Sequence, residues 1–220
     1  MDFSKAFDKV SHRLLLHKLE HYGIRGNINR WIASFLYNRT QAVVVDGKSS
    51  THIDVESGVP QGSVLGPSLF LLYNNGMPEG IKYTVRLFAD DTIAYLTIPS
   101  DKDSNDLQND LDQLALWETK WKISFHPDKC NVLTISKKNN MIPTSYKLHG
   151  HTLKTVESAK YLGYTSTSDL RWNDHVINIC NKANRTIGFL KRNLNIGFTT
   201  VKQNAYKALV PALVEYASTV

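Results

Sequence analysis

The sequence predicts an α+β fold whose C-terminal part is helical. Three observations predict it. Helix-period and strand-period segments are mixed over residues 1–165 without regular alternation. From Asn173 onward the pattern turns helical. The 42% hydrophobic and 21% charged composition of the 220 residues is that of a globular chain, long enough for one sizeable domain with a small appendage. This composition excludes a mainly disordered chain, a collagen-like fibre and a disulfide-stapled mini-protein. The longest apolar run, Leu69-Phe70-Leu71-Leu72-Tyr73, is far too short to span a bilayer. No apolar segment follows Met1-Asp2, so no signal peptide is expected. Cys130 and Cys180 lie far apart in no metal-ligand spacing, which points to a reducing compartment.

The elements follow in order. Ser11 reads as an N-cap and Gly23 as the residue just past a helix end, with Leu15, Leu16, Leu19 and Tyr22 at helical spacing between them. A second helix places Ile28, Trp31, Ile32, Phe35 and Leu36 on one face. Residues 41–45 and 51–55 read as strands around Asp46-Gly47, a strong hairpin signal. Residues 58–66 form a glycine- and proline-rich loop, and 68–75 a short buried helix. Two β-prone runs, 83–88 and 92–96, flank Ala89-Asp90-Asp91. Leu107, Leu111, Leu114 and Trp121 mark an amphipathic helix. Strands are expected at 122–125, 131–135, 146–148 and 160–164. Val176, Cys180, Ala183, Ile187 and Leu190 step by four, three, four and three, a helical pattern, and another helix covers about 199–209. The polar, turn-rich stretch 166–169 divides residues 1–165 from residues 166–220.

The net charge of +6 is unevenly spread. Residues 1–119 hold 11 Lys/Arg and 15 Asp/Glu, a balance of −4; residues 120–220 hold 15 and 5, a balance of +10. A basic half invites a polyanion, nucleic acid first; a solvated basic surface is the alternative. In the acidic half, Asp90-Asp91 is a poor choice for a hairpin turn. Two like charges ~4 Å apart cost on the order of 4 kcal/mol at an effective dielectric of 20. Divalent cations would reverse that cost, and Mg²⁺ prefers a few carboxylates with waters and substrate phosphates. An exposed acidic turn is the alternative for an isolated pair.

The flanking residues decide between them. Asp2-Phe3-Ser4-Lys5-Ala6-Phe7-Asp8, then Gly58-Val59-Pro60-Gln61-Gly62-Ser63-Val64-Leu65-Gly66-Pro67, then Phe88-Ala89-Asp90-Asp91 resemble the reverse transcriptases of non-LTR retrotransposons, most of all the jockey-type, LINE-like branch. Pro127-Asp128-Lys129-Cys130 resembles that family's fourth palm motif. Tyr161-Leu162-Gly163 and Ser168-Asp169-Leu170-Arg171-Trp172 resemble the segment leading out of the palm. Ala205-Tyr206-Lys207-Ala208-Leu209-Val210 and Glu215-Tyr216-Ala217 resemble the helical region beyond it. The ordered set spans essentially the whole chain.

The resemblance implies a polymerase palm over residues 1–165, an antiparallel sheet packed on helices, then a helical connection and partial thumb over 166–220. The implied activity is RNA-directed DNA synthesis, in which a primer 3′-hydroxyl attacks the α-phosphate of a deoxynucleoside triphosphate. Two Mg²⁺ ions, or Mn²⁺ in their place, would be held by Asp2, Asp90 and Asp91, with the Phe3 carbonyl facing a metal. Asp8 is assigned a local role at helix entry. Phe7 resembles a steric gate that excludes a ribose 2′-hydroxyl; a core phenylalanine is its bland reading. Gln61 and Gly62 resemble the nucleotide- and template-contacting loop; a surface turn is theirs. Lys129 resembles the lysine proposed to protonate the pyrophosphate leaving group, with a solvated lysine as the alternative. Lys182, Arg185, Lys191 and Arg192 resemble the thumb's grip on primer and template, with a solubilising face as the alternative. The implied partners are an RNA template, a DNA primer, deoxynucleotides and the rest of a parent polyprotein. The implied setting is intracellular, nucleus and cytoplasm, without a membrane.

Three departures from the family stand out. In the family a hydrophobic strand runs into the first aspartate, and here Asp2 directly follows Met1. The expectation is a fragment without fingers, showing weak or no polymerase activity in isolation. At Tyr73-Asn74-Asn75-Gly76-Met77-Pro78 the family usually has an apolar residue at 74 and an aspartate at 76. At Val210-Pro211-Ala212-Leu213 it usually has arginine then proline at 211 and 212. Two alternatives stay open: a retrotransposon-derived relic that at most binds nucleic acid, and an RNA-dependent RNA polymerase, against which Phe7 and Phe88-Ala89-Asp90-Asp91 argue.

Overall fold

A computed structural model describes residues 1–77, 79–136, 144–194 and 198–217; Pro78, quoted above in the 73–78 motif, lies outside them. Its contacts divide the chain into two compact units, Met1–Asn131 with Ile142–Lys154, and Val132–Met141 with Thr155–Val220. Helices and strands are mixed, as an α+β fold requires.

The first unit begins with a 3₁₀ turn, Ala6–Asp8, then helices α1 (His12–His21) and α2 (Gly26–Leu36). Helix α1 buries His12, Leu15, Lys18 and Leu19, one stripe at helical spacing. Helix α2 corrects the expected face. It buries Asn29, Ile32 and Leu36, while Ile28 and Trp31 are exposed. The Asn29 amide donates to Leu16 O and Ile24 O, both at 3.1 Å, and this pair of bonds fixes the helix rotation. The expected hairpin exists as two short ladders. Strand β1 (Thr40–Gln41) pairs with β4 (Ile53–Asp54), and β2 (Val44–Val45) pairs with β3 (Lys48–Ser49) around Asp46-Gly47. Both turn residues have positive φ, 49° and 76°, which fits the primed turns of two-residue hairpins.

Helix α3 (Leu65–Asn74) buries Leu69, Phe70 and Tyr73 beside the α1 stripe. Strands β5 (Thr84–Phe88) and β6 (Asp91–Tyr95) form an antiparallel hairpin. Helix α4 (Asp101–Trp121) buries Leu111 and Leu114. Its buried Asp110 carboxylate accepts from Lys82 N and Tyr83 N, both at 3.1 Å through Oδ2, and so ties the entry of β5 to the helix. One turn before its end, buried Glu118 accepts from Phe125 N and pairs with His149. Residues 122–125 are not a strand: a 3₁₀ turn, Pro127–Lys129, follows the single β-bridge at Phe125. Strand β7 (Asn131–Leu133) passes from this unit into the second at Val132, and the hairpin β8 (Lys147–Leu148) with β9 (His151–Thr152) completes the first unit.

Beyond β10 (Lys154–Val156), the second unit holds the hairpin β11 (Ser158–Tyr161) and β12 (Tyr164–Thr167), then helices α5 (Asn173–Asn193), α6 (Thr199–Leu209) and α7 (Pro211–Val214). The expected strand 160–164 is corrected to a hairpin, because Leu162 and Gly163 both turn at positive φ. Thr167 Oγ1 accepts from Arg171 N at 3.1 Å and donates to Asp169, closing the 167–171 turn within this unit. On α5 only Ala183 of the expected apolar stripe is fully buried; Val176 and Cys180 are exposed. Among the described residues no helix is long and apolar enough to cross a membrane.

Two features of the first unit carry predictions. Lys18 is buried, donates to Tyr73 O at 2.7 Å and to Asn75 O, and lies 4.1 Å over the Trp121 ring. Burial lowers its pKa to about 8. The fully buried Tyr73 hydroxyl donates to Trp121 O, and burial pushes its pKa up to about 12. Between pH 8 and 10.5 the unfolded chain therefore holds a proton on Lys18 that the folded chain has released, so stability rises with pH. From pH 10 to 12 the folded chain keeps the Tyr73 proton that the unfolded chain loses, so stability falls. Urea unfolding should show stability climbing from pH 8 to 9, by at most about 1.4 kcal/mol per pH unit; above pH 9 the raised pKa of the buried Cys130 thiol, and above pH 10 that of Tyr73, oppose the climb. The Lys18→Met variant should lose the climb; an identical profile for both would refute the assignment.

Asn74 is buried, and neither atom of its amide has a partner among the described residues. An unpaired buried amide is destabilising. Asn74→Leu should raise the unfolding free energy by about 1–2 kcal/mol. A lower denaturation midpoint for the variant would show that the amide is satisfied.

Candidate active site

The residues around Asp2 belong to an antiparallel set assembled from three distant parts of the chain. Residues 1–4 lie between β6 and residues 124–126. On one side Thr92 N donates to Met1 O at 3.1 Å and Met1 N donates to Thr92 O at 2.7 Å. On the other, Ser4 N donates to Ser124 O and His126 N to Asp2 O, each at 2.8 Å. Asp2 is thereby placed directly across from Asp91, and Phe3 across from Phe125. The Thr92 N to Met1 O bond marks Asp2–Asp91 as a non-hydrogen-bonded pair, the closer kind, with both side chains on one face of the ladder.

The hairpin turn is Ala89-Asp90. Ala89 is in the left-handed region at φ 52°, and Phe88 pairs with Asp91. Asp91 thus begins a strand, and Asp90 sits at the turn beside it. Burial raises the Asp91 pKa, and the neighbouring charges of Asp90 and Asp2 raise it further. The Lys129 ammonium lies 3.3 Å from Asp2 Oδ2, an ion pair that partly offsets the repulsion. Beneath Asp2, burial pushes up the pKa of the Cys130 thiol, so this cysteine is an inert packing group. On the opposite side of the strand the buried Phe3 ring stacks on Phe125, with centroids 4.2 Å apart.

The 58–66 loop is locked against the 3₁₀ turn. Gly58 N donates to Val10 O and Val59 N to Phe7 O, both at 2.8 Å, and a His12 ring nitrogen bonds Gly58 O at 2.7 Å. Gln61 Nε2 donates to Asp8 Oδ1 at 3.2 Å, and Ser57 Oγ to Asp8 O at 2.8 Å. Asp8 is therefore engaged by this loop. Gln61 and Gly62 are exposed, and Phe7 is half-buried, stacked on Phe70 at 4.5 Å.

In the second unit, Lys182, Arg185, Lys191 and Arg192 are exposed on α5. Arg185 and Arg192 line a shallow groove with Asn181, Asn184 and Gly188. Lys191 lies roughly half a turn away from Lys182.

The structure brings Asp2, Asp90, Asp91 and Lys129 to one place. Among the described residues, no three His, Cys, Asp or Glu side chains form a ready-made metal cage. Sequence reasoning missed Ser124 and His126 as backbone partners of the Asp2 strand. The β-prone 122–125 run was their only signal.

Residues 1–166 match the family described as reverse transcriptase (RNA-dependent DNA polymerase). The chain belongs to the reverse transcriptase family. Its relatives are polymerases of non-LTR retrotransposons. It is 32% identical over 189 residues to the RNA-directed DNA polymerase from mobile element jockey of Drosophila melanogaster, covering 81% of this chain and 20% of that protein. It is 30% identical over 191 residues to the probable RNA-directed DNA polymerase from transposon X-element of the same species, with the same coverage. The retrovirus-related Pol polyprotein from the type-1 retrotransposable element R2 of Popillia japonica is 27% identical over 188 residues, covering 76% of this reverse transcriptase chain and 30% of the polyprotein. The chain thus spans about a fifth of the length of the jockey and X-element polymerases.

Proposed function

We propose that this chain is the palm and the start of the thumb of an RNA-directed DNA polymerase, extending a DNA primer on an RNA template from deoxynucleotides. The observation that carries the proposal is Asp2 directly across from Asp91, with Asp90 in the adjoining turn. Mg²⁺ is suited to such a group, because it takes one or two carboxylates, several waters and substrate phosphates rather than an all-protein cage. Burial first, and then the charges of Asp90 and Asp2, raise the Asp91 pKa, and a divalent cation would relieve that repulsion. Asp2, Asp90 and Asp91 would hold two such ions, Mg²⁺ or Mn²⁺, with the Phe3 carbonyl beside them. When bound, the pair stabilises the attacking and leaving oxygens of an in-line displacement.

The chain's own residues supply the rest. Lys129, whose ammonium lies beside Asp2, would give a proton to departing pyrophosphate. Phe7 would sit under the incoming sugar, and Gln61 and Gly62 along the nucleotide and template. Lys182, Arg185 and Arg192 would follow phosphates without reading sequence. The remaining parts of the polymerase would come from a longer polypeptide of the relatives' kind.

The test is extension of oligo(dT) on poly(rA) by a polypeptide of the relatives' length carrying this chain. Deoxynucleotide should be incorporated in preference to ribonucleotide, and Phe7→Ala should narrow that preference by about 10-fold or more, the size of one lost steric contact. Equal use of both nucleotides by the unaltered protein would support an RNA polymerase instead. No extension, with RNA binding intact, would support a non-catalytic relic.

A further inference from the structure

A cleft of about 850 Å³ opens in the first unit between the C-terminal half of α1, the turn after α3 and the last turn of α4. Its volume is in the range that holds small organic ligands. Three aromatic side chains line it: Tyr22, which is 39% exposed, Trp117 and Trp121. Three cations accompany them: the buried Lys18 and the exposed Lys120 and Arg25. The Arg25 guanidinium is tethered through Nε to Glu20 O at 2.9 Å. Glu20 and Glu79 are the carboxylates of the lining, and His17 and His21 also border it.

The cleft is not part of the carboxylate site. Successive side chains of an extended strand point to opposite faces. Phe3 therefore faces away from Asp2, and the Trp117 ring lies 6.5 Å from the Phe3 ring. The cleft wall backs onto the rear of the strand that carries Asp2.

We propose that this cleft is a second contact for single-stranded nucleic acid, in which Tyr22 and Trp117 stack on bases and Lys120 and Arg25 meet phosphates. Aromatic faces interleaved with cations are the recognition chemistry of single strands. An acidic peptide would use the cations and leave three aromatic rings without a role. The proposal rests on the family reading only for the choice of polyanion.

The probe is a ten-residue oligouridylate containing 4-thiouridine, mixed with the full chain in EDTA so that no metal-dependent step contributes. Crosslinks should map to Tyr22, Trp117 or Trp121. The double variant Arg25→Glu/Lys120→Glu should weaken binding about 10-fold near 0.1 M salt. It should also flatten the slope of log affinity against log salt by about 1.4, since each single-strand phosphate contact contributes about 0.7. No catalytic step is read in this assay, so a failure of the polymerase reading leaves it readable. Should the glutamate variant unfold by circular dichroism, Arg25→Ala/Lys120→Ala, which loses the same two contacts, should give the same slope change of about 1.4. Crosslinks confined to α5 or to the β5–β6 hairpin would overturn the proposal. So would unchanged binding by the variants, or displacement of the RNA by decaglutamate at equal concentration.

Discussion

Replacing Asp91 by asparagine is expected to lower templated nucleotide incorporation by about 10³-fold or more, while leaving the fold as stable as before or slightly more so. The activity loss corresponds to about 4 kcal/mol of transition-state stabilisation. It follows from geometry: Asp91 directly faces Asp2 across the ladder, and Asp90 occupies the adjoining turn. An amide keeps the shape and removes the charge that would hold a cation. The stability half follows from the same contacts. Like charges directly opposite one another on a sheet are destabilising. Burial raises the Asp91 pKa, and Asp90 and Asp2 raise it further. The folded state thus favours the protonated carboxyl, so the stability it contributes is present below the ordinary carboxylate range and is lost as pH rises through the raised pKa. Asp91→Asn should remove that pH dependence. Primer extension by a polypeptide of the relatives' length carrying the variant, and urea denaturation of the variant chain near neutral pH and near pH 4, check both halves. Incorporation within 10-fold of the unaltered protein would exclude Asp91 from the metal site. Lost activity with lost stability would make it a structural residue.

The contrast between these carboxylates and their surroundings shows what a sequence carries and what it does not. The Asp46-Gly47 turn was legible because its conformation is written in two adjacent residues, and both adopt positive φ. The β5–β6 hairpin was legible as two apolar runs, although its turn was not. Propensity disfavours alanine at positive φ, yet Ala89 takes it, which lets Asp91 join the strand instead of the loop. The exposed Ile28 and Trp31 were misplaced because helical spacing alone does not reveal that Asn29 satisfies two carbonyls of the preceding segment. Least legible were the pairings of residues 1–4 with 91–92 and 124–126. They join parts about ninety or more residues apart, and no local pattern specifies the register. The motif order located the carboxylates in the chain; the register places Asp2 against Asp91.

Gly58→Ala is expected to destabilise the first unit by about 3 kcal/mol or more. Two causes act together. Gly58 has φ 91°, a conformation that a side chain strains. A Cβ there would also stand 2.8 Å from Asp8 Cα, 2.9 Å from Asp8 O and 2.9 Å from Phe7 O. These are backbone atoms, so no rotamer change relieves the clash. They belong to the turn that is held by Gly58 N to Val10 O and Val59 N to Phe7 O. Moving them would also disturb the buried His12 ring bonded to Gly58 O. Gly62 is the internal control. It has φ 80°, but nothing lies within 4 Å of an added Cβ. Gly62→Ala should therefore show the conformational strain alone, about 1–2 kcal/mol. For a chain of this size the difference between the variants corresponds to a midpoint lower by about 2–8 °C for Gly58→Ala. Equal midpoints would mean that the loop shifts away from the turn at no cost. Amide exchange gives the finer reading: Val59 N should lose protection in Gly58→Ala and keep it in Gly62→Ala. Because the same loop carries Gln61 against Asp8, primer extension should fall in Gly58→Ala even at temperatures where the unit remains folded.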